Sequence, residues 1–321
     1  MNESNIKELF ERYPKNPILT AADWPYTVNT VFNPGATLFK GKTLLLARCE
    51  ERSGLSHLTK AVSIDGVGDW QIDATPTMAS DLEHHPEERW GIEDPRITWI
   101  PEVGKWAVIY TAYSRGGPLV AMALTEDFVN FERLGTIMQP QDKDAAIFPR
   151  RFQGKWALLH RTTGPNDSAT GHIWLAYSDD MTHWVDDRPL LKSRQGGLWD
   201  ANKIGLCTPP LETKEGWVIL YHSVRKTASG AIYRLGLALL DLENPSQVLN
   251  RSDDWIFGPT EAYERQGDVD DVVFPCGWVP DEQTGLLKMY YGGADSCIAL
   301  ATASMKELTE YARACPAPHD D

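Results

Sequence analysis

A short pattern of glycine, often a basic residue, then an apolar run recurs along the chain and narrows its fold more than any other feature. It reads Gly41-Lys42-Thr43-Leu44-Leu45-Leu46-Ala47-Arg48, then Gly104-Lys105-Trp106-Ala107-Val108-Ile109-Tyr110 and Gly154-Lys155-Trp156-Ala157-Leu158-Leu159-His160-Arg161. It returns as Gly216-Trp217-Val218-Ile219-Leu220-Tyr221-His222 and Gly285-Leu286-Leu287-Lys288-Met289-Tyr290-Tyr291. The copies lie roughly 50 to 70 residues apart. Upstream of each stands a polar residue or proline followed by an apolar strand, as in Asn33-Pro34-Gly35-Ala36, Glu93-Asp94-Pro95-Arg96 and Asp144-Ala145-Ala146-Ile147. Downstream comes a third strand, such as Ile173 to Tyr177, and in several copies an Asp-containing turn with Trp or Phe. Short strands with Gly and Asp turns at this period describe blades, and a blade must stack on its neighbours to bury both faces. A β-sandwich has no reason to repeat a three-part pattern five times. The expectation is an all-β, five-bladed β-propeller forming one domain over residues 1–321. Residues 1–16 would be a peripheral segment and 304–321 a tail, with short helices over Ile6–Tyr13 and Met305–Ala314.

Composition excludes several functions. With 45 acidic and 31 basic residues the formal net charge is −14, which repels nucleic acid. Any anion site must therefore be a local cluster of basic residues. Twelve tryptophans could stack on sugars, although filling sheet interfaces is the commoner use. The five cysteines, Cys49, Cys207, Cys276, Cys297 and Cys315, show no C-x-x-C or Cys/His metal spacing and read as buried free thiols. Met1 to Arg12 is polar and unlike a signal peptide. No apolar run reaches the roughly 18 residues of a membrane span. A cytoplasmic protein with no membrane or nucleic-acid partner is expected, and homo-oligomerisation stays open. P-loop and G-x-S-x-G patterns are missing, and Asp268, Asp270 and Asp271 match a calcium loop too loosely to imply a metal.

In a propeller the innermost strands open onto one axial funnel, so the repeat sends Asn33, Asp94, Asp144, Lys203 and Asp271 towards it from different blades. The Glu93-Asp94-Pro95 segment is held extended by its proline. Alternation along a strand predicts that only one of Glu93 and Asp94 faces the funnel. A carboxyl enclosed there could act as general acid, or it could merely cap a turn. Arg48, Arg161 and His222 end repeated strands, while Lys143 and Lys203 precede inner strands. By register these five crowd one mouth and would form an anion site, with arginine forks suited to phosphate.

The chain resembles glycoside hydrolase family 130, the β-mannoside phosphorylases and related β-mannosidases. The resemblance spans about Phe32 to Ala303 and rests on Val31-Phe32-Asn33-Pro34-Gly35-Ala36, Gly54-Leu55-Ser56-His57-Leu58, Gly91 to Thr98, Phe148-Pro149-Arg150, Leu159-His160-Arg161, Lys203-Ile204-Gly205, Val273 to Gly277 and Tyr291 to Asp295. It implies Asp94 as proton donor, passing its proton through a mannose hydroxyl while phosphate attacks the anomeric carbon from the opposite face. It further implies phosphate ligands at Arg161, Lys203, His222, Lys143 and Arg48, and sugar ligands at Asn33, Glu93, Asp144 and Asp295. No metal or cofactor is implied beyond phosphate as co-substrate. The product would be α-mannose 1-phosphate from a short β-1,2- or β-1,4-mannoside. Family hydrolases lack part of the basic cluster and activate water with glutamates, so a β-mannosidase is the nearest alternative. Other five-bladed glycosidases act on furanosides but need an Asp where Asn33 stands, and a sugar-binding propeller without catalysis is the remaining alternative. The chain departs from the family pattern at Ser223 and at Asp270-Asp271.

Overall fold

The computed structural model describes residues 8–162, 171–227 and 230–318. Five antiparallel sheets of consecutive strands follow one another as the blades of a propeller. Blade one holds Thr30–Phe39, Lys42–Glu50, Ser56–Ser63 and Gln71–Ile72, and blade two Ile92–Ile100, Lys105–Ser114, Gly117–Thr125 and Glu132–Thr136. Blade three comprises Asp142–Ile147, Trp156–Thr162, Ile173–Ser178 and Trp184–Leu191. Blade four comprises Lys203–Leu206, Gly216–Thr227, Gly230–Leu240 and Val248–Arg251, with the short Leu211–Thr213 also paired to its second strand. Blade five takes Val273–Asp281, Leu286–Gly293 and Cys297–Ser304 from the C-terminal end of the chain. Its outer strand, Glu11–Arg12, comes from the N-terminal end and pairs with Thr302 and Ala301, closing the ring.

The recurring glycine has a backbone reason. It turns the first strand of each blade into the second, and φ is positive in every copy: 75° at Gly41, 69° at Gly104, 86° at Gly154, 141° at Gly216 and 70° at Gly285. Glycine enters that region without the Cβ clash of other residues. Asp65, Asp127 and Asp180 fix the turn between third and fourth strands, each accepting backbone N–H groups two and three residues ahead.

The core lies between blades rather than within them. Leu44, Leu46 and Leu58 of blade one pack on Ile97, Val108 and Tyr110 of blade two. Corresponding seams hold Ile109 with Leu158, Leu159 with Tyr221, Leu220 with Met289, and Tyr290 with Leu45. Trp156 and Trp217 are fully buried in these seams, while Trp90 and Trp99 are exposed. All five cysteines are free, and only Cys315 is not fully buried. No helix among the described residues is long and apolar enough to cross a membrane.

The C-terminal helix forms over Met305–Ala314, starts at the Ser304 cap and buries Leu308 and Ala312. The N-terminal expectation needs correction. Residues 8–13 are not helical; Ile6 and Lys7 lie outside the described residues. Strand pairing on blade five prevails there because it satisfies an otherwise open sheet edge and buries Phe10 beside Phe257. A single helical turn, Ala262–Arg265, was not anticipated.

Ring closure also rests on a buried ion pair. Arg12 Nε lies 2.8 Å from Oε1 of the fully buried Glu264, Nη2 donates to Gly258 O, and the guanidinium stands 4.1 Å over Phe257. Removing one partner strands the other charge in the core. Arg12→Ala should lower stability by about 3 kcal/mol in chemical denaturation, whereas Arg150→Ala, on exposed partners, should cost less than about 1 kcal/mol.

Candidate active site

The same backbone irregularity occurs on the inner strands of three adjacent blades. Pairing jumps from Phe32↔Arg48 to Gly35↔Leu46, from Glu93↔Thr111 to Arg96↔Ile109, and from Lys143↔Arg161 to Ala146↔Leu159. Two inner-strand residues thus oppose one partner, which is a β-bulge. The first residue of each pair is left-handed: φ is 44° at Asn33, 49° at Asp94 and 56° at Asp144. Asn and Asp tolerate this region better than other side-chain-bearing residues.

Blades one and two bring a carboxylate group together. Asp94, 3% exposed, accepts at Oδ1 from Asn33 Nδ2 (2.9 Å) and from Arg48 Nη1 (3.2 Å). Arg48 Nη2 also reaches Glu93 Oε1 at 3.2 Å. Both neighbouring carboxylates therefore face one guanidinium, contrary to the strand alternation expected from sequence, because the left-handed turn at Asp94 breaks the alternation. Arg48, expected in the anion cluster, is engaged with Asp94, Glu93 and Glu50 and rests 4.6 Å over Phe32. Burial alone would raise the Asp94 pKa; Arg48, Lys143 and Arg96 overcome it and hold the carboxyl below its ordinary value. Burial dominates at Glu93 and raises its pKa despite Arg48. Blade five supplies Asp295, pushed up to about 7 by burial and by the neighbouring Asp94 charge. Asp271, also left-handed with a φ of 58°, accepts at its backbone carbonyl from Tyr233 N–H.

Blades three and four build a basic group around Asp144, whose side chain is completely buried. Arg161 Nε stands 2.9 Å from Asp144 Oδ2, Arg96 Nη2 3.4 Å from Oδ1, and His222 Nε2 3.7 Å from Oδ2. The Arg161 contact is misaligned for a hydrogen bond, and among the described residues neither its Nε nor its Nη1 has a hydrogen-bond partner, nor has Asp144 Oδ2. Buried donors of a cation are seldom left so, and here they leave hydrogen-bonding capacity for an acceptor beside Asp144. Burial opposes the charge of Asp144, but Arg161 and Lys143 hold its carboxyl well below the usual range. Burial, reinforced by Arg161 and Lys143, lowers Lys203 to about 8. His222 is driven well below its ordinary value by burial, with Arg161, Arg96 and Lys203 adding to the effect, so it is neutral and packs against Phe274 and Tyr233. Lys143 acts on both groups, on Glu93 and Asp94 as well as Asp144.

Of the eleven residues singled out from sequence, ten fall into these two groups; Asp271 is the other. Arg96 and Tyr233 were missed. Arg96 stood in a motif already noted, and its 2% exposure ties the bulge carbonyl of Asp94 to Leu206 O and Cys207 O of blade four. Tyr233 had no sequence signal.

A family model described as beta-1,4-mannooligosaccharide phosphorylase matches residues 5–314. The chain belongs to glycoside hydrolase family 130. It is 30% identical over 316 residues to a Ruminococcus albus protein named beta-1,4-mannooligosaccharide phosphorylase, covering 97% of this chain and 92% of that one. It is 35% identical over 257 residues to a Thermoanaerobacter protein named 1,2-beta-oligomannan phosphorylase, covering 79% and 80%. Among solved structures, a Listeria innocua beta-1,2-mannobiose phosphorylase in complex with beta-1,2-mannobiose superposes with a TM-score of 0.84 at 30% identity, covering 94% of this chain and 98% of that one.

One glycine of this family 130 chain has no room for a side chain. A Cβ on Gly205 would stand 2.5 Å from Asp144 Oδ2 and 2.6 Å from His222 Cε1. Gly205→Ala should therefore displace two groups of the basic cluster and cost about 2 kcal/mol, read as a lower midpoint in thermal unfolding. Gly104→Ala, whose Cβ meets nothing within 4 Å, is strained only by its φ of 69° and should leave the cluster intact.

Proposed function

We propose that the chain is an inverting β-mannoside phosphorylase, cleaving a short β-1,2- or β-1,4-mannoside with inorganic phosphate to α-mannose 1-phosphate. The observation that carries this reading is the pairing of a buried carboxyl, Asp94, with an anion surface of under-bonded Arg161 beside Lys203, His222 and Lys143. The names of the relatives lend support, and they differ in linkage, so both linkages are carried forward.

In this reaction mannose occupies the space between the two groups, with Asn33, Glu93 and Asp295 bonding its hydroxyls. Protonated Asp94 gives its proton to a mannose hydroxyl, which passes its own to the glycosidic oxygen. A phosphate oxygen attacks the anomeric carbon from the opposite face as the bond to that oxygen breaks. The leaving sugar departs as an alcohol, and Asp94 remains a carboxylate until solvent reprotonates it. Phosphate is already an anionic nucleophile, so the second carboxylate of an inverting hydrolase is unnecessary. Asp144, too buried to meet sugar, acts by holding Arg161 and His222 in place, and Arg48 by orienting Asp94.

The deciding measurement incubates the protein with β-1,2- and β-1,4-mannobiose, with and without phosphate, and follows phosphorus and anomeric proton spectra. α-Mannose 1-phosphate should form only with phosphate; mannose released equally without it would establish hydrolysis instead. Asp94→Asn should lower kcat by roughly 10³-fold with mannobiose binding retained by calorimetry. Unchanged activity would favour a sugar-binding propeller.

A pH dependence follows from Lys203. Its lowered pKa of about 8 means that it is charged below that pH and neutral above. The KM for phosphate should rise as pH passes about 8, and Lys203→Arg, which stays charged, should move that rise to higher pH.

A further inference from the structure

Each of the three bulges faces a single residue on the second strand of its blade: Ala47, Tyr110 and His160. Of the three, His160 is the one whose side chain ordinarily titrates near neutral pH, and the proposed reaction leaves it without a role although it stands in the Leu159-His160-Arg161 motif. It is fully buried. Its Nδ1 lies 2.6 Å from Asp142 Oδ2 and its Nε2 3.0 Å from Asp187 Oδ1. A neutral imidazole has one donor and one acceptor nitrogen, and an acceptor facing a carboxylate oxygen is repelled. Two carboxylates therefore select the imidazolium, which donates from both nitrogens in charge-assisted bonds. Burial opposes that charge, but hydrogen bonds to both aspartates raise the pKa to about 9.

The partners come from opposite edges of the blade. Asp142 begins the inner strand, directly before Lys143 and Asp144, and Asp187 lies on the outermost strand. His160 itself directly precedes Arg161, whose guanidinium is engaged with Asp144. One cation thus joins the strand segments that present three members of the basic group. Asp94, Asn33 and Arg48 lie on other blades.

We infer that His160 is a positioning residue for the phosphate site, a buried imidazolium locked between Asp142 and Asp187 that keeps the blade-three bulge, with Lys143, Asp144 and Arg161, in register. The inference rests on the phosphorolysis reading. It predicts a split between substrates, because the sugar-binding and proton-donating residues do not hang on this clamp.

The test compares wild type, His160→Gln and Asp187→Asn as full-length proteins, measuring KM for phosphate and for mannobiose. Histidine nitrogen spectra of the wild type at neutral pH report the charge of His160. Two protonated ring nitrogens are expected, with the KM for phosphate raised roughly tenfold in His160→Gln, less in Asp187→Asn, and the KM for mannobiose unchanged. Asp187 is 42% exposed, so its variant decides the matter if His160→Gln does not fold. A neutral His160 in the wild type would overturn the inference. So would an unchanged KM for phosphate in the folded variants, or an equal rise for both substrates. A wild type that uses no phosphate would be recognised first, and it would overturn the phosphorolysis reading together with this one.

Discussion

Three inner strands bend at one residue, and the geometry of the candidate site depends on that bend. A regular strand would point Asn33, Asp94 and Asp144 alternately with their neighbours into the packed seams, where a polar side chain has no partner. The bulge releases each from that alternation. The left-handed conformation costs of order 1 kcal/mol per residue, and it is maintained by its surroundings. Proline follows Asn33 and Asp94, and Arg96 grips the Asp94 carbonyl at 2.9 Å while reaching two carbonyls of blade four. Gly292 makes room beside Asn33: a Cβ there would stand 2.1 Å from Asn33 Oδ1. Left-handed residues occur elsewhere in the chain as well, but at Asn33, Asp94 and Asp144 they coincide with bulges on inner strands, and strain that the surroundings hold in place often accompanies a site.

The legible part of the fold is the part written in short-range geometry. Glycine at a positive-φ turn and aspartate capping the next turn are local requirements, so five blades could be counted from residues alone. Closure of the ring was not legible, because Glu11–Arg12 meets its partner strand nearly 290 positions away and its polar, charged surroundings suited a helix equally well. The same limit applies within the site. Glu93 and Asp94 looked like a strand pair with opposite faces, and nothing in Glu-Asp-Pro-Arg reveals the bulge that turns both to Arg48. Arg48 itself was placed with the other cations because strand ends were compared by register. Register gives height along the axis, whereas the partner of a long side chain is set by which neighbouring blade carries an opposite charge.

Charge within the site is divided although the chain as a whole is acidic. Carboxyls gather on the side of blades one, two and five, and cations on the side of blades three and four. Each side carries one member of the opposite sign, Arg48 among the carboxyls and Asp144 among the cations. These inserted counter-ions make the segregation affordable: without Asp144, Arg161 and Arg96 would be buried like charges, and without Arg48 the carboxyls would repel one another. The charge of Lys143 is felt by both groups.

That shared lysine bears on how Asp94 could hold a proton at the right moment. With two donors on one oxygen, Asp94 is a carboxylate before substrate arrives, whereas the proposed reaction needs the acid. An anion bound at Arg161 and Lys203 would offset the field of Lys143 and add negative charge facing Asp94, and a like charge raises a carboxyl's pKa. Sugar filling the funnel would exclude water and raise it further. Acid and nucleophile would then become competent together, with each depending on the presence of the other. A hydrolytic site gains nothing from such an arrangement, since water brings no charge. The division of charge is intelligible as a device for phosphate, and Lys143, whose charge acts on both groups, links the two.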